Sequence, residues 1–418
     1  MSLTVESGPR TSTLQVEVEP HEVGLDAQRL QRADRHLARY VDDGRLPNSL
    51  LVVSRGGKIA HVAAYGKRDP DTGSPVGTDT VWRIYSMTKP ITSVATMMLY
   101  EEGAFDLLDP LERYLPAFAD MRVYSRGAGP TLTSTPAGEP IRIWHLLTHT
   151  SGLTYSFMFA NPVDAAYREA GFEPFAPMRE PLSAVCDRLG ALPLLFEPGS
   201  EWNYSMATDV LGRLVEVVSG QSLDAFFAER ILDPLGMRDT AFWTPPEKQS
   251  RMAVLCMPDP STGRVVRSPG DARGRERPVC LSGGGGLVST ASDYHRFTRM
   301  LLNQGELDGV RLLAPRTVQL MTRNHLPGGA EMETFGRALF DAPHAGYGFG
   351  LGFQVLVDPV GARSLSSAGE YGWGGAAGTE FWIDPAQELI VLFFTQLLPP
   401  PSPLRAQLRQ VVYQALIR

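Results

Sequence analysis

Apolar residues near the start of the chain repeat at helical spacing. Residues 26–43, DAQRLQRADRHLARYVDD, place Leu30, Ala33, Leu37 and Tyr40 on one face with polar residues between them, which predicts an amphipathic helix. Two apolar runs follow in SLLVVSRGGKIAHVAAYG, residues 49–66, and the RGGK between them is typical of a β-hairpin turn. The pattern therefore predicts a helix followed by two antiparallel strands.

The pattern changes twice along the rest of the chain. KPITSVATMMLYEEG predicts an apolar helix that ends at Gly103, and from about residue 110 helical stretches such as MATDVLGRLVEVVSG alternate with Pro/Gly-rich loops such as FEPGSEWNY. After residue 283 a short helical stretch leads into strand-like runs, among them TEFWIDP and ELIVLFFTQL, and the chain ends on an amphipathic helix.

This order predicts an α+β fold in which an antiparallel sheet is flanked by helices. Residues 1–24 form an N-terminal extension in this interpretation. Residues 25–109 and 283–418 form one α/β sandwich domain, so both ends of the chain supply strands to a single sheet. Residues 110–282 form a mainly helical domain inserted between those two segments.

Composition narrows the class of protein. The 418 residues carry a net charge of −7, which gives no electrostatic reason to expect nucleic acid or a membrane as a partner. Cys186, Cys256 and Cys280 are widely spaced, so neither a zinc site nor a disulfide framework is predicted. The N-terminus lacks the pattern of a secretory signal, and no apolar run is long enough to cross a bilayer. We expect a cytoplasmic protein without a metal or cofactor.

The first candidate catalytic residues lie in IYSMTKPITSV, residues 84–94. The chain has 39 Lys and Arg residues in total but only four lysines, and Lys89 is the one that lies in this apolar stretch, three positions after Ser86. Residues at this spacing share a helix face, and Pro90 is tolerated only near a helix start. Ser86 is therefore expected at the helix N-terminus, where free N–H groups gather. A desolvated lysine could take the serine proton, which arginine cannot do. The alternative is a helix-capping serine beside a lysine that reaches water.

Two distant segments favour the chemical interpretation. FEPGSEWNYSMATDVLG places Tyr204 between a Pro-Gly turn and a predicted helix, where the side chain can point into a cleft. SSAGEYGWGGAAGTEFWIDP places Trp373, Gly374 and Gly375 beside a predicted strand, and glycine permits a close approach to a strand edge. A backbone N–H from that edge could serve as an oxyanion donor.

Together, the three segments resemble the serine β-lactamase and penicillin-binding protein superfamily, and within it the family VIII carboxylesterases. The resemblance covers roughly residues 25–417, including LLTHTSGL and GGGLVSTASDYHRF. It implies an active site in the cleft between the two domains. It also implies that Ser86 is the acylated nucleophile, that Lys89 orients it and moves protons, and that Tyr204 is the general base. The backbone N–H groups of Ser86 and Ala376 would form the oxyanion hole.

The departures from the β-lactamase pattern bear on the substrate. Trp373-Gly374-Gly375 stands in the place of the Lys-Thr-Gly triplet, and Met206 stands where β-lactamases of this type commonly have an asparagine after their tyrosine. An apolar indole cannot pair with the carboxylate of a lactam, so neutral esters are favoured. We therefore predict a serine carboxylesterase that hydrolyses short-chain acyl esters.

Several alternatives remain open at this level. A β-lactamase, a D-amino-acid peptidase or an acyltransferase could use the same residues, and a non-catalytic binding protein could keep the same fold. Met206, Tyr155 and Phe157 are candidates for the substrate pocket, and Phe159 lies on the same predicted loop. His149, in LLTHTSG, could belong to a Ser-His-Asp triad, but we favour a structural hydrogen bond.

Overall fold

The computed structural model describes residues 14–337, 344–401 and 403–418. Residues 1–13 of the predicted N-terminal extension therefore lie outside the described residues. The α-helices in the described part are α1 (Ala27–Asp42), α2 (Thr88–Glu101), α3 (Ile143–Leu147), α4 (Pro162–Glu169), α5 (Leu182–Gly190), α6 (Ala207–Ser219), α7 (Leu223–Phe227), α8 (Ala291–Leu302), α9 (Pro315–Met321), α10 (Met332–Phe335) and α11 (Leu404–Tyr413).

Strands are concentrated at the two ends of the chain. Those in the described part are β1 (Asn48–Arg55), β2 (Lys58–Asp69), β3 (Ser74–Pro75), β4 (Trp82–Arg83), β5 (Arg122–Arg126), β6 (Thr133–Pro136), β7 (Cys256–Pro258), β8 (Val265–Arg267), β9 (Val288–Ser289), β10 (Glu306–Leu307), β11 (Val310–Arg311), β12 (Tyr347–Phe349), β13 (Gln354–Leu356), β14 (Tyr371–Gly374), β15 (Glu380–Asp384) and β16 (Leu389–Phe394).

One antiparallel sheet joins the two ends of the chain. Among the described residues its eight strands follow the order β12-β13-β14-β15-β16-β1-β2-β3. The pairing of β1 with β16 places Val52 opposite Leu392, so strands that are far apart in sequence are neighbours at the centre. This arrangement confirms the predicted α+β class and the prediction that both ends share a sheet.

The first two strands show how local sequence determines the fold. Arg55 of β1 pairs with Lys58 of β2, which leaves Gly56 and Gly57 as the two turn residues. Their φ angles are 58° and 75°, and a two-residue hairpin turn with both φ values positive is the turn that glycine favours. The RGGK hairpin prediction is therefore confirmed.

The central strands are buried on both faces. Leu50 and Val52 of β1 belong to the large apolar core on one face. Leu51 and Val53 point to the other face and belong to a second core, to which α1 and α11 contribute their apolar sides. Burial on both faces explains why β1 and β16 are almost continuously apolar rather than alternating.

The segment 110–282 contains α3 to α7. Two short hairpins, β5–β6 and β7–β8, also lie within it, and the hydrophobic pattern did not predict them. The large core includes Leu146 and Leu211 from this segment together with Ile390 and Phe394 from the sheet. The two parts therefore pack on a common core, and the domain boundaries at 110 and 283 stay a prediction. None of the helices in the described residues has the length and apolar character of a membrane span.

Candidate active site

Ser86 lies at the start of α2. It belongs to a 3-10 turn, Tyr85–Met87, that leads directly into this helix, and Pro90 is the third helical residue, where a missing N–H costs no hydrogen bond. Tyr85 adopts a φ of 44°, an uncommon conformation for a residue with a side chain. The chain thus makes a sharp bend immediately before Ser86 and presents it at the positive end of the helix.

Lys89 reaches Ser86 from the same helix face. Its Nζ donates hydrogen bonds to Ser86 Oγ at 3.3 Å, to Tyr155 Oη at 3.0 Å and to the Gly284 carbonyl oxygen at 2.6 Å. The residue is only 1% exposed, so its ammonium group is not the solvated head of a surface lysine. The three donors of an ammonium are matched by three acceptors.

Tyr204 lies beside the same lysine, on the segment just before α6. Lys89 Nζ is 4.6 Å from the centre of the Tyr204 ring, a cation–π distance. Trp373, on β14, donates from its indole Nε1 to Tyr204 Oη at 3.4 Å. The structure therefore brings together all three predicted catalytic side chains and the tryptophan, although they come from distant parts of the chain.

Tyr155 has a contact that the sequence did not predict. The sequence suggested a pocket residue, and Tyr155 does line the cavity, but its hydroxyl is also hydrogen-bonded to Lys89. Burial, followed by the negative charge of Asp209, holds the pKa of Tyr155 well above its ordinary value, so this phenol is neutral near pH 7. A second tyrosine thus contacts the candidate proton carrier.

The sequence did not predict the role of Asp209, which holds the loop that contacts Lys89. Asp209, on α6, accepts hydrogen bonds from Ser282 Oγ at 2.6 Å and from the Gly284 N–H at 3.1 Å. It thereby fixes the loop whose carbonyl accepts from Lys89. A Cβ at Gly284 would lie 2.4 Å from the Asp209 carboxylate, which explains the glycine. The SGGGGL motif indicated a tight loop, but nothing local indicated its partner.

The candidate oxyanion hole lies where β14 ends. A Cβ at Gly375 would come within 2.5 Å of the Ile84 carbonyl oxygen, so glycine lets this segment pack directly against the backbone that leads to Ser86. Ala376 and Ser86 both line the same cavity. The assignment of their N–H groups as oxyanion donors stays a prediction.

The cavity beside Ser86 has a volume of about 410 Å³, within the usual range for small-molecule sites. Met206, Tyr155 and Phe157 line it, as the sequence suggested. Phe157 stacks between Tyr155 and Phe175, with ring centres 4.5 Å and 4.7 Å away. These rings form one aromatic wall of the cavity.

Four residues that the sequence suggested for the substrate site, two aromatic residues and two glycines, do not line the cavity. Trp373, Gly374 and Gly375 lie behind the wall rather than in it, with Trp373 only 6% exposed. Trp373 contacts Tyr204 instead, and Gly375 packs against the backbone before Ser86. Phe159 also does not line the cavity and is 67% exposed.

His149 forms a hydrogen bond in the core and none with Ser86. Its Nδ1 hydrogen-bonds to Ser205 Oγ at 3.0 Å, and it packs against the Tyr204 ring with centres 5.0 Å apart. Burial, and secondarily the Lys89 charge, holds its pKa well below the ordinary value. His149 is therefore a neutral core residue with a structural hydrogen bond. Within the described residues, no cluster of His, Cys, Asp or Glu is arranged to hold a metal ion.

A serine at a helix start, with a buried lysine and two tyrosines against it, is the arrangement of a serine hydrolase with the β-lactamase and penicillin-binding protein fold. The chain belongs to the Beta-lactamase family, whose model matches residues 33–415. The family resemblance inferred from the sequence is thus confirmed.

Three similar proteins extend this comparison. An uncharacterized protein of Mycobacterium tuberculosis is 38% identical over 367 residues, which cover 86% of this chain and 88% of the relative. Esterase EstB of Burkholderia gladioli is 33% identical over 417 residues, covering 95% and 98%. The solved structure of EstCE1, a hydrolase with promiscuous acyltransferase activity, has a TM-score of 0.76 at 28% identity and covers 92% and 99%.

Proposed function

We propose that this protein is a serine carboxylesterase that hydrolyses short-chain acyl esters through an acyl-enzyme on Ser86. The observation that carries the proposal is the hydrogen bond from the buried Lys89 ammonium to Ser86 Oγ, 3.3 Å long, at the edge of a cavity. A serine needs a neighbouring group that takes its proton, and Lys89 with Tyr204 provides that group. The similarity to Esterase EstB supports the ester class.

The proposed reaction has two acyl-transfer steps. Ser86 Oγ attacks the ester carbonyl carbon while its proton passes to the lysine–tyrosine set. The backbone N–H groups of Ser86 and Ala376 stabilise the oxyanion. The ester bond then breaks, and the proton goes to the departing alcohol oxygen. A water molecule attacks the acyl-enzyme in the same way, which releases the carboxylic acid and restores Ser86.

Two residues at the site, Trp373 and Met206, favour esters over lactams. Trp373 replaces a cationic residue of the β-lactamase pattern, and its indole is engaged with the Tyr204 hydroxyl. Met206 lines the cavity in place of an amide that would bond an acylamido side chain. Neither residue offers a group for the polar parts of a β-lactam or a D-amino-acid peptide, so we rank those substrates below esters.

Acyl transfer to an alcohol is the second candidate. EstCE1, the structural neighbour described above, is a hydrolase with promiscuous acyltransferase activity, and an acyl-enzyme can be attacked by an alcohol as well as by water. A small-molecule ester is the proposed binding partner in either case. The cytoplasmic location expected from the sequence stays a prediction.

The test joins active-site labelling with substrate profiling. A fluorophosphonate probe followed by peptide mass spectrometry should locate the modification on Ser86, and Ser86→Ala should abolish both labelling and hydrolysis of p-nitrophenyl acetate and butyrate. Unchanged hydrolysis in Ser86→Ala would refute the nucleophile. Parallel assays with nitrocefin, and with a competing alcohol, separate the esterase from the lactamase and from the acyltransferase.

A further inference from the structure

Arg273 places a cation in the wall of the active-site cavity. Its Nη2 donates to the Gly285 carbonyl oxygen at 2.9 Å, and its guanidinium carbon is 4.8 Å from the centre of the Tyr85 ring. A Cβ at Gly285 would lie 3.7 Å from Arg273 Nη2 and 3.7 Å from the Tyr85 carbonyl carbon, the atom bonded to the Ser86 nitrogen. The guanidinium is therefore close to the candidate nucleophile.

No carboxylate within the described part of the chain pairs with this arginine. Two nearby arginines on the same segment do have a carboxylate partner, since Arg267 and Arg275 both form ion pairs with Asp271. Asp271 is also bonded to the buried Arg83, so the nearest acidic residue on this segment is already shared by three cations. A guanidinium has five N–H donors, and the bond to Gly285 uses one of them.

Among the described residues that line the cavity, Arg273 and Arg179 are the cations without a carboxylate partner, and of these two only Arg273 is partly buried. Asp209 is 2% exposed and accepts two hydrogen bonds within the protein. Glu180 pairs with Arg188. Glu173 and Arg179, of opposite sign, are both exposed where they line the cavity. Each acidic residue therefore has a partner or faces water.

The backbone that carries Arg273 is held firmly in place. Arg83 Nε donates to the Arg273 carbonyl oxygen at 2.6 Å. The next residue, Gly274, has a φ of 78°, and a Cβ there would lie 2.8 Å from the Val288 side chain. A cation on a fixed backbone, with donors to spare, has the properties of a preorganised anion-binding group.

We propose that Arg273 binds a carboxylate of the substrate, so that acid-bearing esters are preferred to neutral esters of the same length. This inference rests on the proposed esterase function and refines the expectation of neutral substrates. That expectation came from Trp373, which does not line the cavity, whereas Arg273 does line it and offers a cation. Arg is the side chain best suited to bidentate carboxylate recognition.

The test compares matched pairs of esters. For a carboxylate on the acyl side, the mono-p-nitrophenyl ester of glutaric acid is compared with p-nitrophenyl valerate. For a carboxylate on the alcohol side, p-acetoxybenzoate is compared with its methyl ester. The readout is the ratio of kcat/KM for the acidic ester to kcat/KM for the neutral ester. It is measured in the wild type, in Arg273→Gln, in Arg273→Lys and in the control variant Arg277→Gln. The pair that shows the preference identifies the side that carries the carboxylate.

The expected results follow from the charge. Arg273→Gln should lower the ratio by roughly tenfold or more, mainly through KM, because a hydrogen bond to a charged group is lost. Arg273→Lys should keep part of the preference, and added salt should weaken it. Arg277→Gln removes the same charge from a side chain that is 73% exposed and does not line the cavity, and it should leave the ratio unchanged.

Two outcomes separate this inference from the proposed function. If Arg273 only supports Tyr85 and Gly285, Arg273→Gln lowers both rates together and the ratio stays constant, which overturns the inference. A wild-type ratio near one for both pairs also overturns it, while hydrolysis of the neutral esters still supports the esterase. If wild type hydrolyses none of the esters, the proposed function itself fails.

Discussion

Replacement of Lys89 by arginine tests the central chemical claim most directly. The substitution keeps a positive charge beside Ser86 but removes the ability to give up a proton, because arginine stays protonated in proteins. Lys89 is 1% exposed and bonded to three acceptors. A role confined to holding a charge would therefore survive in part, whereas a proton-transfer role would not.

The expected loss is large. General acid–base catalysis contributes about 10²- to 10⁴-fold, which corresponds to roughly 3–5 kcal/mol of transition-state stabilisation at about 1.4 kcal/mol per tenfold. We expect kcat/KM for p-nitrophenyl butyrate to fall by at least about 10²-fold in Lys89→Arg and in Lys89→Met. The rate of labelling by a fluorophosphonate should fall in parallel, because both reactions need the activated Ser86.

The controls separate chemistry from folding. Lys58 is exposed at the start of β2, and Lys58→Arg should leave both rates unchanged. Circular dichroism and thermal melting establish that each Lys89 variant is folded, since the guanidinium is larger than the ammonium it replaces. A folded Lys89→Arg enzyme with near wild-type kcat/KM would refute the assignment of Lys89 as a proton carrier.

Three further predictions concern the surroundings of the site and the scaffold. Tyr155→Phe should lower kcat about tenfold or more with little change in KM, because the lysine loses an acceptor at 3.0 Å; an unchanged kcat would make Tyr155 a pocket residue only. Arg409→Met should cost about 3–5 kcal/mol of unfolding free energy in urea titrations, because buried Glu370 loses its ion-pair partner and buried Glu380 keeps only a 3.9 Å contact with Arg405; a cost below about 1 kcal/mol contradicts this. Burial lowers the pKa of His295 to about 3. Between about pH 6.5 and pH 3 the unfolded chain therefore binds a proton at His295 that the native state does not bind. The free energy of unfolding consequently falls as the pH is lowered through this range. His295→Gln should flatten this decline by about 1.4 kcal/mol per pH unit between roughly pH 6 and 4, and identical slopes in the two proteins would count against a buried neutral histidine.

Sequence reasoning succeeded where neighbouring residues determine the structure. The amphipathic pattern of residues 26–43 corresponds to α1, Ala27–Asp42, and the hairpin turn and the helix start at Ser86 were predicted from motifs only a few residues long. The short hairpins β5–β6 and β7–β8 were missed, because neither is long enough to show a period-two pattern against the surrounding loops.

Local sequence patterns could not predict contacts between residues that are far apart in the chain. Tyr155 meets Lys89 across 66 positions, and Asp209 meets Gly284 across 75. No feature of the segment around Tyr155 distinguishes a residue that bonds a catalytic lysine from one that only fills a pocket. Both interpretations require an aromatic side chain on the loop after α3, and only the folded chain separates them.

The position of Lys89 is a property of the whole fold rather than of its motif. The three-residue spacing brings Lys89 onto the same face as Ser86, but this alone is equally compatible with a capping serine and a lysine that reaches water. The second interpretation requires an exposed ammonium, and Lys89 is 1% exposed. Its other acceptors, Tyr155 and the Gly284 carbonyl, come from two separate loops, and Asp209 fixes one of those loops. The burial of Lys89 and its acceptors from three parts of the chain therefore argue against the second interpretation and support the proposed role beside Ser86.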